Sequence, residues 1–332
     1  MKPNQNQESK TCPGDSSTSA IMRKKNIATR IIGICILLLG CMPILAQSQE
    51  QADLLKRAYD KHSKSLLNKF FNNWSKEISS NENDAPNKWV AEAHKVFVAF
   101  YQPLQPEKIG CRGEDNIELY KESSYLIVQD TLKDIYIADS IPLTQDELEV
   151  FYVNSIKQQY PDSSKQIGYE RIIRRDKLQG KLYPIFDISN DFRPYIGIPT
   201  KRVDSNISFR PPVSFPKKKI VYLTKGYKQL LNNFLGNEHV ELGKESIMQA
   251  AHSKGESEKR MKFINKAVKI IYGHWGGYWQ YETYPQAYNI ILDSNLRHAV
   301  VHFRHGYGGG YAVLKKQNNQ WGIISAELTW IE

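Results

Sequence analysis

YPQAYNIILDSNLRHAVVHFRHGYGGGYAVLKKQNNQWGIISAELTW occupies Tyr284–Trp330 and contains four apolar runs separated by short breaks. The breaks are rich in Asp, Ser, Asn and Gly, residues that favour turns. Since short turns join sequential strands as antiparallel neighbours, the stretch predicts a four-stranded meander. The predicted strands are Tyr284–Leu292, Leu296–His305, Tyr311–Lys316 and Trp321–Trp330.

The residues before this stretch have helical and mixed patterns. Apolar residues recur every three or four positions over Gln51–Ser79, which predicts one long helix with a buried stripe. Tyr160–Pro216, rich in Pro and Asp, predicts irregular structure with short strands. Further helices are predicted over Lys88–Tyr101, Thr144–Gln159, Lys225–Leu235 and Glu258–Ile270. The fold class is therefore α+β, with a helical N-terminal part, a mixed middle and a C-terminal antiparallel meander packed on a helix.

Three segments are expected along the chain. Residues 1–48 form an N-terminal extension and signal peptide, residues 49–237 a helical and then mixed α+β region, and residues 238–332 a C-terminal α+β roll. The polar run Glu238–Ser257 marks the boundary before the last segment.

The closing sequence LKKQNNQWGIISAELTWIE follows apolar strands, and the last 80 or so residues resemble the NTF2-like (cystatin-like) roll. The resemblance implies a cone-shaped pocket between sheet and helices. Such rolls serve both enzymes and binding modules, so the resemblance locates a site and leaves its function open.

Residues 22–51 have the three parts of a secretory signal peptide. MRKKNIATR is basic, IIGICILLLGCMPILA (residues 31–46) is apolar, and small polar residues follow. The apolar run of 16 is shorter than the roughly 20 residues that a membrane-spanning helix needs. A start at Met22 would give the segment the ordinary length of a signal peptide, which leaves two candidate starts. We expect cleavage to follow Ser48, after the small-x-small triplet Ala46-Gln47-Ser48.

Two alternatives concern the same segment. Residues 31–46 could remain as an anchor in the inner membrane, with the basic end inside. Alternatively, Leu38-Leu39-Gly40-Cys41 resembles a lipoprotein box, with Cys41 as the lipid-bearing residue. In each case the protein is expected to be exported to the periplasm or cell envelope. It would contact the membrane only through this N-terminal segment, if that segment is not cleaved or is lipidated.

Three further pieces, KGESEKR (Lys254–Arg260), YGHWGGYWQ (Tyr272–Gln280) and LTWIE (Leu328–Glu332), resemble an uncharacterised family of exported proteins from Bacteroidetes bacteria. The resemblance implies that this protein is exported too, and it implies no particular activity.

The excess of basic residues does not indicate a nucleic-acid partner. The formal net charge is +10, but residues 1–46, with six Lys and Arg against two Asp and Glu, supply +4 of it. The chain has no RNP, helix-turn-helix or zinc-finger spacing. We therefore expect no nucleic-acid binding.

Catalytic and metal-binding signatures are missing from the sequence. There is no Gly-x-Ser-x-Gly elbow, no His-Glu-x-x-His and no P-loop. His298 and His302 are four residues apart, which on a strand separates them by about 13 Å, too far to share one tetrahedral ion. We expect neither a metal nor a cofactor.

Aromatic, His and Arg side chains concentrate near the meander. Rings alternate from Tyr278 onward, and they either pack in the core or form a stacking platform for a flat ligand. On the third-from-last strand, Ala299, Val301 and Phe303 alternate with polar residues that face either solvent or a pocket. The predicted ligand contacts are Trp279, Tyr281, Glu282, Tyr284, His298, His302 and Arg304.

Three functions fit this pattern. The first is a non-catalytic binding or interaction module for a small molecule, a glycan or a protein, because rings are dense and catalytic motifs are missing. The second is a hydrolase in which His302 works with Glu282 or a nearby Asp. The third is a structural or assembly protein of the envelope that buries its aromatic faces against a partner.

Overall fold

The structure of the protein is a computed structural model. It describes residues 49–79, 87–111, 119–160, 162–188, 197–236, 247–272 and 279–331. The chain divides into two compact units, Met1–Asp53 and Leu54–Glu332. The signal segment predicted within residues 1–48 and the domain boundary predicted at 237/238 lie outside the described residues. Among described helices, none combines the length and apolar character that crossing a membrane requires.

The described part of the chain contains seven α-helices, eleven strands and a short 3-10 helix, Pro106–Ile109. The helices are α1 (residues 49–60), α2 (Lys64–Ser79), α3 (Lys88–Phe100), α4 (Gln145–Gln159), α5 (Ser163–Leu178), α6 (Lys225–Leu235) and α7 (Ile247–Ile264). The strands are β1 (Tyr125–Gln129), β2 (Thr131–Ala138), β3 (Phe186–Asp187), β4 (Ile198–Ser208), β5 (Lys219–Leu223), β6 (Ile271–Tyr272), β7 (Trp279–Gln280), β8 (Gln286–Asp293), β9 (His298–His305), β10 (Gly308–Gln317) and β11 (Gln320–Ile331).

Seven of these strands form one mixed sheet in the order β11-β10-β9-β8-β2-β4-β3. Strands β8 to β11 are consecutive antiparallel neighbours, which confirms the predicted meander. β2 runs parallel to β8, with Ile135 opposite Ile290, and β4 runs antiparallel to β2. The architecture confirms the α+β fold class, while the NTF2-like resemblance stays a prediction.

Helix α3 covers one face of this sheet. The Asn87 side chain accepts hydrogen bonds from the backbone N–H groups of Trp89 and Val90, which starts the helix. The helix packs on β2 and on β8 to β11, and its Phe100 ring lies 5.2 Å from the ring of Phe303 in β9. Its buried apolar residues are Val90, Ala93, Val96, Phe97 and Phe100. The main core therefore lies between α3 and the meander.

A second, two-stranded sheet pairs β1 and β5 in parallel, and α2 packs on it. The Trp74 indole N–H donates to the carbonyl of Tyr222 at 3.0 Å, and the Trp74 ring stacks on Tyr227 of α6 at 4.2 Å. Gln129, at the end of β1, ties this sheet to β8: its side chain accepts from the N–H of Ala287 at 2.7 Å and donates to the Ala287 carbonyl at 3.0 Å.

Two predictions about local structure are wrong. The helix predicted over Gln51–Ser79 breaks at residues 61–63, where His62 has a left-handed φ of 48°. Tyr160–Pro216, predicted to be irregular with short strands, contains the sixteen-residue helix α5 and the eleven-residue strand β4. The reason is exposure: α5 buries only Ile173, so its sequence lacks the apolar stripe that indicates a helix.

The carboxylate of Glu92 joins α3 to the edge of the meander. It accepts hydrogen bonds from Lys95 at 2.7 Å, Lys316 of β10 at 2.8 Å and the indole of Trp321 of β11 at 3.0 Å. Burial by itself would raise the pKa of Glu92, but these hydrogen bonds outweigh it and lower the pKa to about 2.

Replacing Glu92 with Gln should lower the free energy of unfolding at pH 7 by about 1–3 kcal/mol, because Lys316 loses its carboxylate partner. The folded pKa of about 2 lies below the ordinary value of 4.5. The stabilisation is therefore fully present above about pH 4.5 and is lost as the pH falls towards 2. Urea unfolding of both proteins at pH 7 and pH 3 should show a smaller difference at the lower pH.

The matched control is Glu258→Gln. Glu258 pairs with Lys262 at 2.7 Å, but both side chains are at least half exposed, so the loss should stay below about 0.5 kcal/mol. Equal losses in the two variants would contradict the assigned role of Glu92.

Candidate functional site

The two faces of β9 lie in different surroundings. Ala299, Val301 and Phe303 have no exposed surface and face the core under α3. On the opposite face, Val300 belongs to a smaller apolar cluster with Ile291 and Val313. Beyond that cluster, towards the end of β9, this face carries His302 and Arg304, which are partly buried.

A cavity of about 310 Å³ lies on this second face. The sheet provides its floor, and the segment that leads into and past β3 provides its wall. The floor residues are Tyr288, His302, Gly310, Tyr311 and Thr329, together with Phe303, whose ring packs on Phe100 of α3. The wall residues are Tyr183, Pro184, Ile185, Phe186 and Ile188. None of these eleven described residues has a side chain that is charged at neutral pH.

The floor of the cavity continues a line of polar side chains that crosses five strands. Pairing places Asp134 of β2 opposite Asn289 of β8, Asn289 opposite His302 of β9, His302 opposite Tyr311 of β10, and Tyr311 opposite Glu327 of β11. Residues that are paired in this way point to the same side of a sheet. We refer to these five residues as the polar row.

His302 occupies the centre of the polar row. Its Nδ1 lies 2.9 Å from Oδ1 of Asn289, and its ring meets the edge of Phe186 at 6.0 Å. Burial lowers the pKa of His302 to about 4, because the charged imidazolium would lose its hydration. The imidazole is therefore neutral at pH 7.

Tyr311 and Tyr183 bring the floor and the wall together. Their rings stack at 5.7 Å with an angle of 24° between them. The Tyr311 hydroxyl donates to Glu327 at 3.2 Å, and burial together with this carboxylate raises the pKa of Tyr311. Tyr183 and Tyr288 are 42% and 38% exposed, so their rings are accessible at the mouth of the cavity.

Helix α4 fixes the wall in place. The Tyr152 hydroxyl donates to the carbonyl of Tyr183 at 2.5 Å and accepts from the N–H of Ile185 at 2.9 Å. The Gln145 side chain pairs with both backbone groups of Leu182, at 2.8 and 3.1 Å. The N-terminus of α4 is itself defined by a capping box between Thr144 and Glu147.

Of the seven predicted ligand contacts, His302 lines this cavity. Arg304 lies on the same face of β9, where its Nε donates to the carbonyl of Gly306 at 2.8 Å, and His298 at the other end of β9 pairs with Asp293 at 3.0 Å. Neither of them is among the lining residues.

The four remaining predicted contacts lie elsewhere. Trp279, Tyr281 and Tyr284 are 7%, 1% and 2% exposed. The Tyr281 hydroxyl bonds to Asn232, and Tyr284 packs against Tyr120 and Leu126. Glu282 accepts a hydrogen bond from Gln286 at 3.2 Å. The structure therefore does not bring these four side chains to the cavity, and it does not place Glu282 on His302.

The sequence contained a signal for part of the lining. Tyr311 follows from the alternation of β10. Tyr288 does not follow from alternation, because it lies at the register shift between Ala287 and Asn289. The wall residues Tyr183, Ile185 and Phe186 carried no such signal, because their segment reads as irregular and its neighbour in space is distant in the chain. Within the described residues, no group of three or more His, Cys, Asp and Glu side chains is arranged to hold a metal ion.

Comparison of the chain with protein-family models, with curated proteins and with solved structures gave no match.

Gly310 makes the close approach of β10 and β11 possible at the cavity floor. A Cβ atom at this position would lie 1.8 Å from the carbonyl oxygen of Glu327. The pairing of the two strands shifts between Gly309 and Gly310, so the backbones meet where a side chain would separate them.

Gly310→Ala should destabilise the protein by about 1–3 kcal/mol, because the backbone of β11 has to move to admit the methyl group. Gly322→Ala is the matched control: Gly322 lies in β11, and a Cβ there meets nothing within 4 Å. Its effect should stay within about 0.5 kcal/mol. Urea unfolding measures both variants, and similar stabilities for the two would contradict the close approach.

Proposed function

We propose that the protein is an exported, non-catalytic binding protein of the cell envelope, and that the cavity on the sheet takes a small, uncharged ligand with a flat apolar face. The observation that carries this proposal is the lining itself: the rings of Tyr183, Tyr288 and Tyr311 and a neutral His302 surround the space, without a charged side chain among the described lining residues.

The size and composition of the cavity define the ligand class. A volume of about 310 Å³ is at the lower end of ligand pockets, which span about 300–1,000 Å³, and it suits one sugar ring or one or two fused aromatic rings. Aromatic side chains stack on both kinds of ring, at about 0.5–1.5 kcal/mol for a well-placed pair. An anionic ligand is disfavoured, since Arg304 lies outside the lining.

Two observations favour binding over the alternative of hydrolysis. His302 contacts the amide of Asn289, whereas the base of a catalytic pair is usually oriented by a carboxylate. In addition, a general base works best when its pKa lies near the operating pH, and a His302 pKa of about 4 makes a weak base at pH 7.

Replacing either tyrosine at the mouth of the cavity should weaken ligand binding. The probes are indole and methyl β-glucoside, tested by isothermal titration calorimetry. Tyr183→Ala and Tyr288→Ala should each raise the dissociation constant by about 2- to 12-fold, because one stacking surface is lost. Circular dichroism checks that the variants are folded.

Tyr307→Ala is the matched control, since Tyr307 is 37% exposed, like Tyr288, but does not line the cavity. The Tyr307→Ala variant should bind indole or methyl β-glucoside with the affinity of the unmodified protein. Binding by neither probe, or an equal loss in the control, would overturn the assignment of this cavity.

Export is supported by the basic, apolar and small-polar order of residues 22–51. Full-length protein made in a Gram-negative bacterium should appear in the periplasm with Gln49 as its first residue. Ala46→Arg should block processing, because signal peptidase requires a small residue there, whereas the matched variant Gln47→Arg should be processed. Intact mass measurement decides. An unprocessed membrane-bound chain, or a lipid-modified chain that begins at Cys41, would contradict cleavage after Ser48.

A further inference from the structure

Asn289 lies between a carboxylate and an imidazole in the polar row. Its partner in β2 is Asp134, which is 5% exposed, and its partner in β9 is His302. Its side chain presents two different groups, a carbonyl oxygen that accepts and an NH₂ group that donates. Which group faces each neighbour determines where the proton of the imidazole sits.

The two neighbours of Asn289 present different hydrogen-bonding groups to its amide. Oδ1 of Asn289 lies 2.9 Å from Nδ1 of His302, and strand pairing places Asp134, whose carboxylate also lies 3.6 Å from Arg202, on the opposite side of Asn289. An ionised carboxylate is purely an acceptor, so a neighbouring amide satisfies it through NH₂ and not through its oxygen. The carbonyl oxygen of Asn289 then faces the ring, and Nδ1 of His302 has to carry the proton.

A neutral imidazole has one proton, so placing it on Nδ1 leaves Nε2 as an acceptor. Within the described part of the chain, the imidazole of His302 makes one hydrogen bond, from Nδ1 to Asn289. His302 also lines the cavity. The acceptor lone pair of Nε2 is thus available to a ligand. By contrast, the nearby hydroxyl of Tyr311 already donates to Glu327.

We infer that Asn289 is a positioning residue that holds His302 in the Nδ1–H tautomer, and that the cavity thereby selects flat, uncharged rings that carry an N–H or O–H donor. The choice of ligand class rests on the proposed function, whereas the tautomer is a property of the free protein. A ring of the same shape without a donor leaves Nε2 unsatisfied on binding and therefore binds more weakly.

The tautomer can be measured without any ligand. In ¹⁵N-labelled protein at pH 7, two-dimensional NMR that correlates ring carbon-bound protons with both nitrogens should show Nδ1 of His302 protonated and Nε2 unprotonated. Asn289→Leu removes the acceptor and should shift the ring towards the Nε2–H form. Asn289→Asp keeps an acceptor oxygen and should retain the proton on Nδ1. An Nε2–H ring in the unmodified protein would overturn the inference.

Ligand selection is tested with two probes of the same shape, indole, which donates one N–H, and benzofuran, which has an oxygen in its place. Indole should bind the unmodified protein about 5- to 10-fold more tightly than benzofuran, as expected for one hydrogen bond. In Asn289→Leu this preference should fall towards 1, while in Asn289→Asp indole should remain preferred. Thermal unfolding confirms that each variant is folded.

The binding measurements separate donor selection from the proposed binding function. Equal binding of both probes to the unmodified protein would overturn the donor selection and leave the proposed binding function intact. Binding of neither probe would overturn the ligand class and count against the proposed function as well, whatever the NMR spectrum shows.

Discussion

Alternate side chains of β9 point to opposite sides of the sheet, and a different part of the chain covers each side. On one side, Phe303 and its apolar neighbours meet α3 and are fully buried. On the other side, Phe186 of β3 and Phe151 of α4 pack in and against the apolar cluster that contains Val300. The cavity lies next to this cluster, between His302 and the segment around β3. It can form there because the period of two along β9 supplies side chains to both faces of the sheet.

The polar row shows how such a half-covered face can remain ordered. Polar side chains that leave water need hydrogen-bond partners, and a network in a low-dielectric region reinforces itself. Asn289 is hydrogen-bonded to His302, and Tyr311 is hydrogen-bonded to Glu327. Members of the polar row thus satisfy one another's polar groups between neighbouring strands. The floor is consequently arranged before any ligand arrives, which reduces the ordering cost of binding.

Local patterns in the sequence predicted the parts of the fold that depend on near neighbours. The meander follows from four apolar runs with turn residues between them, and the capping residues Thr144 and Thr224 mark the starts of α4 and α6. The parallel pairing of β2 with β8 joins residues about 150 positions apart and has no local signature. α5 is largely exposed, so neither its composition nor its period indicated a helix.

The candidate site was only partly predictable for the same reason. Alternation along β9 singled out His302, but it could not tell which residues on that face would be covered. Density of rings was a poor guide, since Trp279, Tyr281 and Tyr284 are buried while Tyr183 and Tyr288 are accessible. Hydrophobic rings are used equally in cores and in binding surfaces, and only the tertiary arrangement separates the two uses.

The wall of the cavity comes from the stretch between β2 and β4, in which α4 and α5 form an antiparallel pair. It joins the sheet through the short pairing of β3 with β4 and through side-chain hydrogen bonds and apolar contacts, whereas the pairing of β2 with β4 is made by backbone groups outside it. Substitutions in the stretch between β2 and β4 can therefore change the shape of the cavity while the pairing of the other sheet strands stays the same. A protein built in this way can diverge in what it recognises much faster than in how it folds.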